Sequence, residues 1–219
     1  FAGKVVYDAK HLGAWHSAYL SCDPDLKHRI SATQCNWRAF GKWWTSGTPF
    51  RIRLVFFKIL VISALLSGFE SQCLTLQALG RLECFIMKHL RVLYKGGAYG
   101  RSNAELRTDA GIFTVESTLR FRRLKWLRSM CRDPRHHEVL FAALVGKAEA
   151  DRRHQLDASN KPTNYANPWL LQWWADLEKL ASSCLSFATL LQHHGFLAVF
   201  HNEFQKICLA AVLTTTPTV

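Results

Sequence analysis

The stretch that most constrains this chain is Leu54 to Phe69, LVFFKILVISALLSGF. It is 16 residues of almost unbroken apolar sequence, interrupted by Lys58 and bounded by Arg51 and Arg53 before it and Glu70 after. A helix that crosses a bilayer needs about 20 apolar residues, and a charge near its centre is costly. The stretch therefore predicts a helix from about Phe50 to Ser67, stopped by Gly68, buried on most sides of a core, with no membrane among the partners.

Breakers and periodicity divide the flanks into further helices. Asp23-Pro24 is a helix start: Asp23 caps, and Pro24 takes the first position, where its missing N–H costs nothing. From there Leu26, Ile30, Thr33, Trp37, Phe40 and Trp44 recur every three or four residues, as one helix face does. Thr45 to Pro49 is a loop with two breakers. Leu79, Leu82, Phe85 or Ile86, Leu90 and Leu93 mark a helix from about Thr75 to Tyr94, ended by Gly96-Gly97. Ser102 to Glu105 matches the capping box of a short helix that Gly111 ends. Thr114 opens another, with Leu119, Leu124, Leu127 and Met130 or Cys131 inward, closed by Asp133-Pro134. Helices are also expected over His136–Ala150, from Asn167-Pro168 to Gly195, and over Phe196–Leu213. The second of these carries Leu170, Trp173 or Trp174, Leu177, Leu180 and Leu185. Lys4 to Ser17 reads as one or two short strands. The expected fold is mainly α: a helical bundle with a short N-terminal β element. Residues 151–167 are polar and contain Pro162, so they are expected to link a bundle over 1–150 to a helical hairpin within 168–219.

Composition narrows the class. The chain has 219 residues, 49% hydrophobic and 20% charged, which argues against disorder. Seven cysteines without a CxxC pair form neither a disulfide framework nor a zinc signature, so reduced thiols are expected. A chain that starts at Phe1, with no basic segment before an apolar run, reads as a piece of something longer and without a signal peptide.

Charge is the feature that speaks to partners. The formal net charge is +12, and it is uneven: net +5 over residues 1–80, +8 over 81–135 and −1 over 136–219. Such a field argues for polyanions as partners, not for a fold. Its densest part is Arg120, Arg122, Arg123, Lys125, Arg128, Arg132 and Arg135, with Asp133 the only acid among them. At 100° per residue these cover most of the helix outside the Leu119/Leu124/Leu127 stripe. A helix of this kind lies along a phosphate backbone, where each neutralised phosphate releases counterions. The competing reading is a solvated face, though solvated faces ordinarily mix signs. Trp126 within the run is either a base-stacking residue or a core anchor.

Other chemistry is sparse. His136-His137 and His193-His194 are adjacent pairs whose side chains diverge by about 100° on a helix, unsuited to a shared metal. No GxSxG, GxxxxGK[ST] or GxGxxG occurs. Gly96 to Gly100 is glycine-rich but follows a helix, so it reads as a turn between helices. No metal site and no catalytic residue is expected, and Asp23 and Asp25 are accounted for by helix capping.

Five strings, in order, resemble the carboxyl-terminal part of reverse transcriptases of non-LTR retrotransposons. They are His11-Leu12-Gly13 followed by Asp23 to Lys42; Arg51 to Glu70; Leu74 to Leu93, with Arg81-Leu82-Glu83-Cys84-Phe85 closest; Glu105-Leu106-Arg107 with Ala110-Gly111-Ile112; and Glu116 to Arg128. The resemblance covers roughly residues 10–145. It implies the end of the palm, with Leu12 and Gly13 in a primer-grip-like strand, then thumb and post-thumb helices that cradle a template–primer duplex. Family enzymes hold two metal ions on palm aspartates, and no Asp-Asp occurs in this chain. The resemblance therefore implies a fragment of an RNA-directed DNA polymerase, inactive alone. It would bind RNA or an RNA–DNA duplex without sequence preference, with Mg2+ expected only in the full polymerase. The remainder of the parent polymerase is the further partner, and the location intracellular, nuclear in an active retroelement. Two alternatives stand beside this. One is a helical scaffold module that exposes Trp43, Trp44, Trp169, Trp173 and Trp174; the other is a decayed element with no selected function.

Overall fold

In a computed structural model the protein is mainly α-helical, and the structure describes residues 8–11, 14–17, 22–132 and 168–194. The backbone clusters into two units, Phe1–Glu116 and Ser117–Val219. That division falls in the first turn of a helix, earlier than the polar segment over 151–167. The segment itself lies outside the described residues, as do the helices expected over His136–Ala150 and Phe196–Leu213. In the first unit, β1 (Asp8–His11) and β2 (Ala14–Ser17) pair antiparallel, with Asp8 opposite Ser17 and His11 opposite Ala14.

Helix α1 (Asp23–Phe40) has Pro24 in its first turn, as the Asp-Pro signal demands, but its cap is Cys22, with no side-chain bond. Asp23 and Asp25 therefore do other work. Asp25 is buried and accepts from Arg29 Nε at 2.9 Å and Gln72 Nε2 at 2.8 Å, while Asp23 lies 3.5 Å from Arg81. The helix ends in a 3-10 turn, Gly41–Thr45, that folds Trp44 back onto Trp37. Their rings stack at 4.4 Å, and Trp44 Nε1 donates to the Trp37 carbonyl at 2.8 Å.

The apolar stretch forms α2 (Phe50–Phe56), a π-helical segment Phe57–Ser63, and α3 (Ala64–Leu66), stopped at Gly68. Arg53, Phe57, Val61, Leu65 and Phe69 are buried, every fourth residue. In a pure α-helix a four-residue row drifts about 40° per step. The π segment holds more residues per turn and takes the drift back, so the row stays on the core side. Ile52, Val55, Phe56 and Ile59 then face outward, Ile59 with 60% of its surface exposed. The stretch is thus buried mainly on one side, not on most sides as expected, with Leu66 buried beside that row near its end. By length and composition alone, Phe50–Ser71 suffices to cross a membrane, and a third of that window is buried.

Helix α4 (Leu76–Tyr94) starts at Thr75, whose hydroxyl accepts from Ala78 N at 3.2 Å. Leu82, Ile86, Leu90 and Leu93 are buried along it. Each such side chain contributes about 1.5–3 kcal/mol by leaving water. The residue with positive φ after this helix is Lys95 and not the glycines, which continue the turn Lys95–Ala98. The capping box forms as its sequence pattern predicts: Ser102 Oγ accepts from Glu105 N at 3.2 Å, and Glu105 accepts in return from Ser102 N at 2.6 Å. It opens α5 (Asn103–Ala110), which Gly111 ends in the left-handed conformation.

Helix α6 (Val115–Arg132) follows. In the second unit, α7 (Pro168–Ser183) and α8 (Leu185–His194) pack on each other around Leu177, Leu180, Phe187 and Leu191. The sequence predicts a single helix here, but the chain breaks at Cys184. Ser182 turns its hydroxyl onto the Lys179 carbonyl at 2.8 Å, and Cys184 Sγ meets Ser186 Oγ at 3.2 Å. Small polar side chains of this kind compete with the helical ladder. Leu185, expected on the apolar face, is exposed as a result.

Candidate nucleic-acid interface

The basic run of α6 does not form one outward positive face. Arg123 keeps only 4% of its side chain exposed and holds Asp176 of α7 with two bonds, Nε to Oδ2 at 2.5 Å and Nη2 to Oδ1 at 2.9 Å. Arg120 is buried as well, its Nε 3.4 Å from Asp176 Oδ1. A charge taken out of water must be paired, and the forked guanidinium suits a carboxylate. These two arginines are internal and are withdrawn from the interface that the sequence suggests. Arg122 and Arg128 are half-buried, and each is engaged by another group of the protein. Lys125 is exposed. The Arg132 side chain, Arg135, Leu12 and Gly13 lie outside the described residues. Trp126 meets Trp173 edge-on at 5.7 Å, so it anchors packing. Of the tryptophans expected on an exposed patch, Trp44 and Trp173 are buried, Trp43 and Trp174 half-buried, and the side chain of Trp169 lies outside what the structure describes.

Outward positive charge collects instead on the first unit. Its carboxylates are largely engaged inside it. Asp25 holds Arg29, Asp23 meets Arg81, Asp109 meets Arg101, and Glu83 holds Arg107 while accepting from Val115 N at 2.9 Å. Residues 26–69 contain seven lysines and arginines and no acid at all. Lys27, Arg38, Lys42, Arg51, Lys88 and Lys95 are exposed.

Several of these cations flank one groove. Helices α1 and α4 run side by side, with Asp23 near Arg81 at one end and Trp37 against His89, ring centroids 4.5 Å apart, further along. A groove of about 530 Å³ between them is lined by Ile30, Gln77, Gly80, Arg81, Cys84, Phe85 and Lys88. Arg81 and Lys88 are seven residues apart, two turns of α4, and lie about 10 Å from each other along it, while Lys95 follows just past the helix end, where its positive φ leaves the helical path. Lys27 and Arg38 are eleven apart, three turns, and share the flank of α1 next to Ile30. Two basic rows with an apolar floor can seat a phosphate backbone. The sequence carried the signal in the seven-residue spacing and the acid-free stretch, but a scan for local charge density favours α6.

Buried polar groups tie the segments around α1 and α4 together. Arg53 donates to the carbonyls of Thr48 at 2.9 Å, Trp44 at 2.6 Å and Leu93 at 3.0 Å, tying three segments together. His89 is buried one turn beyond Phe85, its Nδ1 2.8 Å from the Phe85 carbonyl; burial, with a smaller push from Lys88, holds it below the ordinary histidine pKa. Burial and the Asp109 carboxylate push the Tyr94 phenol up to about 12. For the two metal ions of a polymerase the chain does not fit: it has no Asp-Asp, and the described residues contain no group of three or more potential ligands. Compared with known proteins, the chain matches no family model, no curated protein and no solved structure.

Proposed function

We propose that this chain is a nucleic-acid-gripping part of a retroelement polymerase, of the kind its sequence resembles, and binds RNA or an RNA–DNA duplex without sequence preference. The observation that carries the reading is the α1/α4 groove, lined by Arg81 and Lys88, with Lys27 and Arg38 exposed on the flank of α1 and Lys95 exposed just past the end of α4. On this reading the catalytic aspartates and their Mg2+ belong to the remainder of the parent polymerase, and this chain supplies affinity without chemistry. A salt series with a labelled RNA–DNA duplex tests it. The logarithm of the affinity falls linearly with the logarithm of salt concentration. The double variant Lys88→Ala, Lys95→Ala weakens binding and flattens the slope by about 0.7–0.9 for each phosphate no longer neutralised. A flat salt dependence in the wild-type chain overturns the proposal. The rival reading, a protein-interaction module, has Trp44 and Trp173 buried in the core and rests on the exposed row Ile52, Val55, Phe56 and Ile59. In the same assay it would leave the duplex unbound at low salt.

A further inference from the structure

Beyond the groove, α4 leads into a second concavity. Thr45, Arg91, Val92, Lys95, Gly96, Ala98 and Tyr99 enclose an open cleft of about 750 Å³. Tyr99 stands at its edge with 95% of its surface exposed, and Val92 is exposed beside it. Such exposure is at odds with how firmly the loop is held. Arg91 donates from Nη1 to the Ala98 carbonyl at 3.2 Å, and from Nη2 to the Arg101 carbonyl at 2.9 Å and Asn103 Oδ1 at 2.7 Å. Tyr99 N donates to Gly96 O at 3.1 Å, and Arg101 N to Ala98 O at 3.3 Å. The backbone is thus clamped on both sides of a tyrosine whose ring lies in water. A solvent-facing ring on a held backbone offers an uncovered π face to a ligand. Gly96 and Gly97 have open space where a side chain would stand, so bare backbone forms the rim. Lys95, the first residue past α4, lines the same cleft.

We infer that Tyr99 is a stacking platform for an unpaired nucleobase, placed in the cleft it shares with Lys95 just past the end of α4. The inference rests on the nucleic-acid reading of the groove and deepens it: the ligand is a duplex that carries a single-stranded extension. The base covers the tyrosine ring and Val92, and the phosphate next to it meets Lys95. Every base has a π face, so the site is tolerant of sequence.

The test uses the full chain and two fluorescein-labelled probes, a blunt RNA–DNA hybrid and the same hybrid with a short single-stranded uridine extension. Wild type binds the extended probe more tightly. Tyr99→Ala removes that advantage, about tenfold for one stacked base. It leaves the blunt-probe affinity and salt slope unchanged, whereas Tyr99→Phe keeps the advantage because stacking needs the ring and not the hydroxyl. An advantage that survives Tyr99→Ala, or no advantage in wild type, overturns the inference while the groove reading stands. Salt-insensitive binding of the blunt probe overturns both.

Discussion

Asp176 answers two arginines from one carboxylate, and that single residue changes the reading of α6. Removing one member of a buried ion pair leaves the other charge without compensation, at a cost of about 3–5 kcal/mol. Asp176→Ala is therefore expected to destabilise the second unit by that amount in urea unfolding, while Lys125→Ala, on the exposed side of the same helix, changes stability little. His89 acts through pH. Its folded pKa lies below the ordinary value of about 6.5, so the unfolded chain takes up the proton first. The stability it allows is full above about pH 6.5 and declines as pH falls below that value toward the folded pKa. The urea midpoint of the chain should drop between about pH 7 and pH 5, and His89→Gln should shrink that drop. Neither effect is visible in the sequence. His89 sits in a helical run like any other, and Arg123 and Asp176 are 53 residues apart.

At the scale of elements, local chemistry carried far. The capping box at Ser102 and Glu105 and the stops at Gly68 and Gly111 are set by residues within a turn of each other and form where their local patterns predict, while the proline start of α1 comes one residue early, with Cys22 and not Asp23 at the cap. Gly68 has φ of 79°, and the position a Cβ would take lies 3.1 Å from Arg29 Nη2. Gly68→Ala is expected to cost about 1–2 kcal/mol from the left-handed backbone alone, read as a lower thermal midpoint. Elements that depend on packing were not legible. The π-helical segment Phe57–Ser63 exists because a four-residue inward row must stay against the core, and no local motif announces that demand. The break at Cys184 is an intermediate case: its serines are in plain sight, but similar residues sit inside helices elsewhere, as Ser117 and Thr118 do in α6.

Across the whole molecule, net charge and its surface expression are different quantities. A count by segment places the largest excess over residues 81–135, centred on α6. In the structure the α6 arginines at 120 and 123 neutralise an internal acid, and the outward cations line α1 and α4. The salt experiment discriminates between the two helices: Lys88→Ala with Lys95→Ala should alter the salt slope, and Lys125→Ala should alter it less. By itself the sequence determined that the chain is mainly helical, where several of its helices start or stop, and that it carries a formal net charge of +12. Those properties follow from neighbours along the chain and from totals that folding leaves unchanged. Only the tertiary structure decided which charges face water, because burial and pairing join residues far apart in sequence. An arginine is a ligand for phosphate or a partner for an internal aspartate according to what the fold brings beside it.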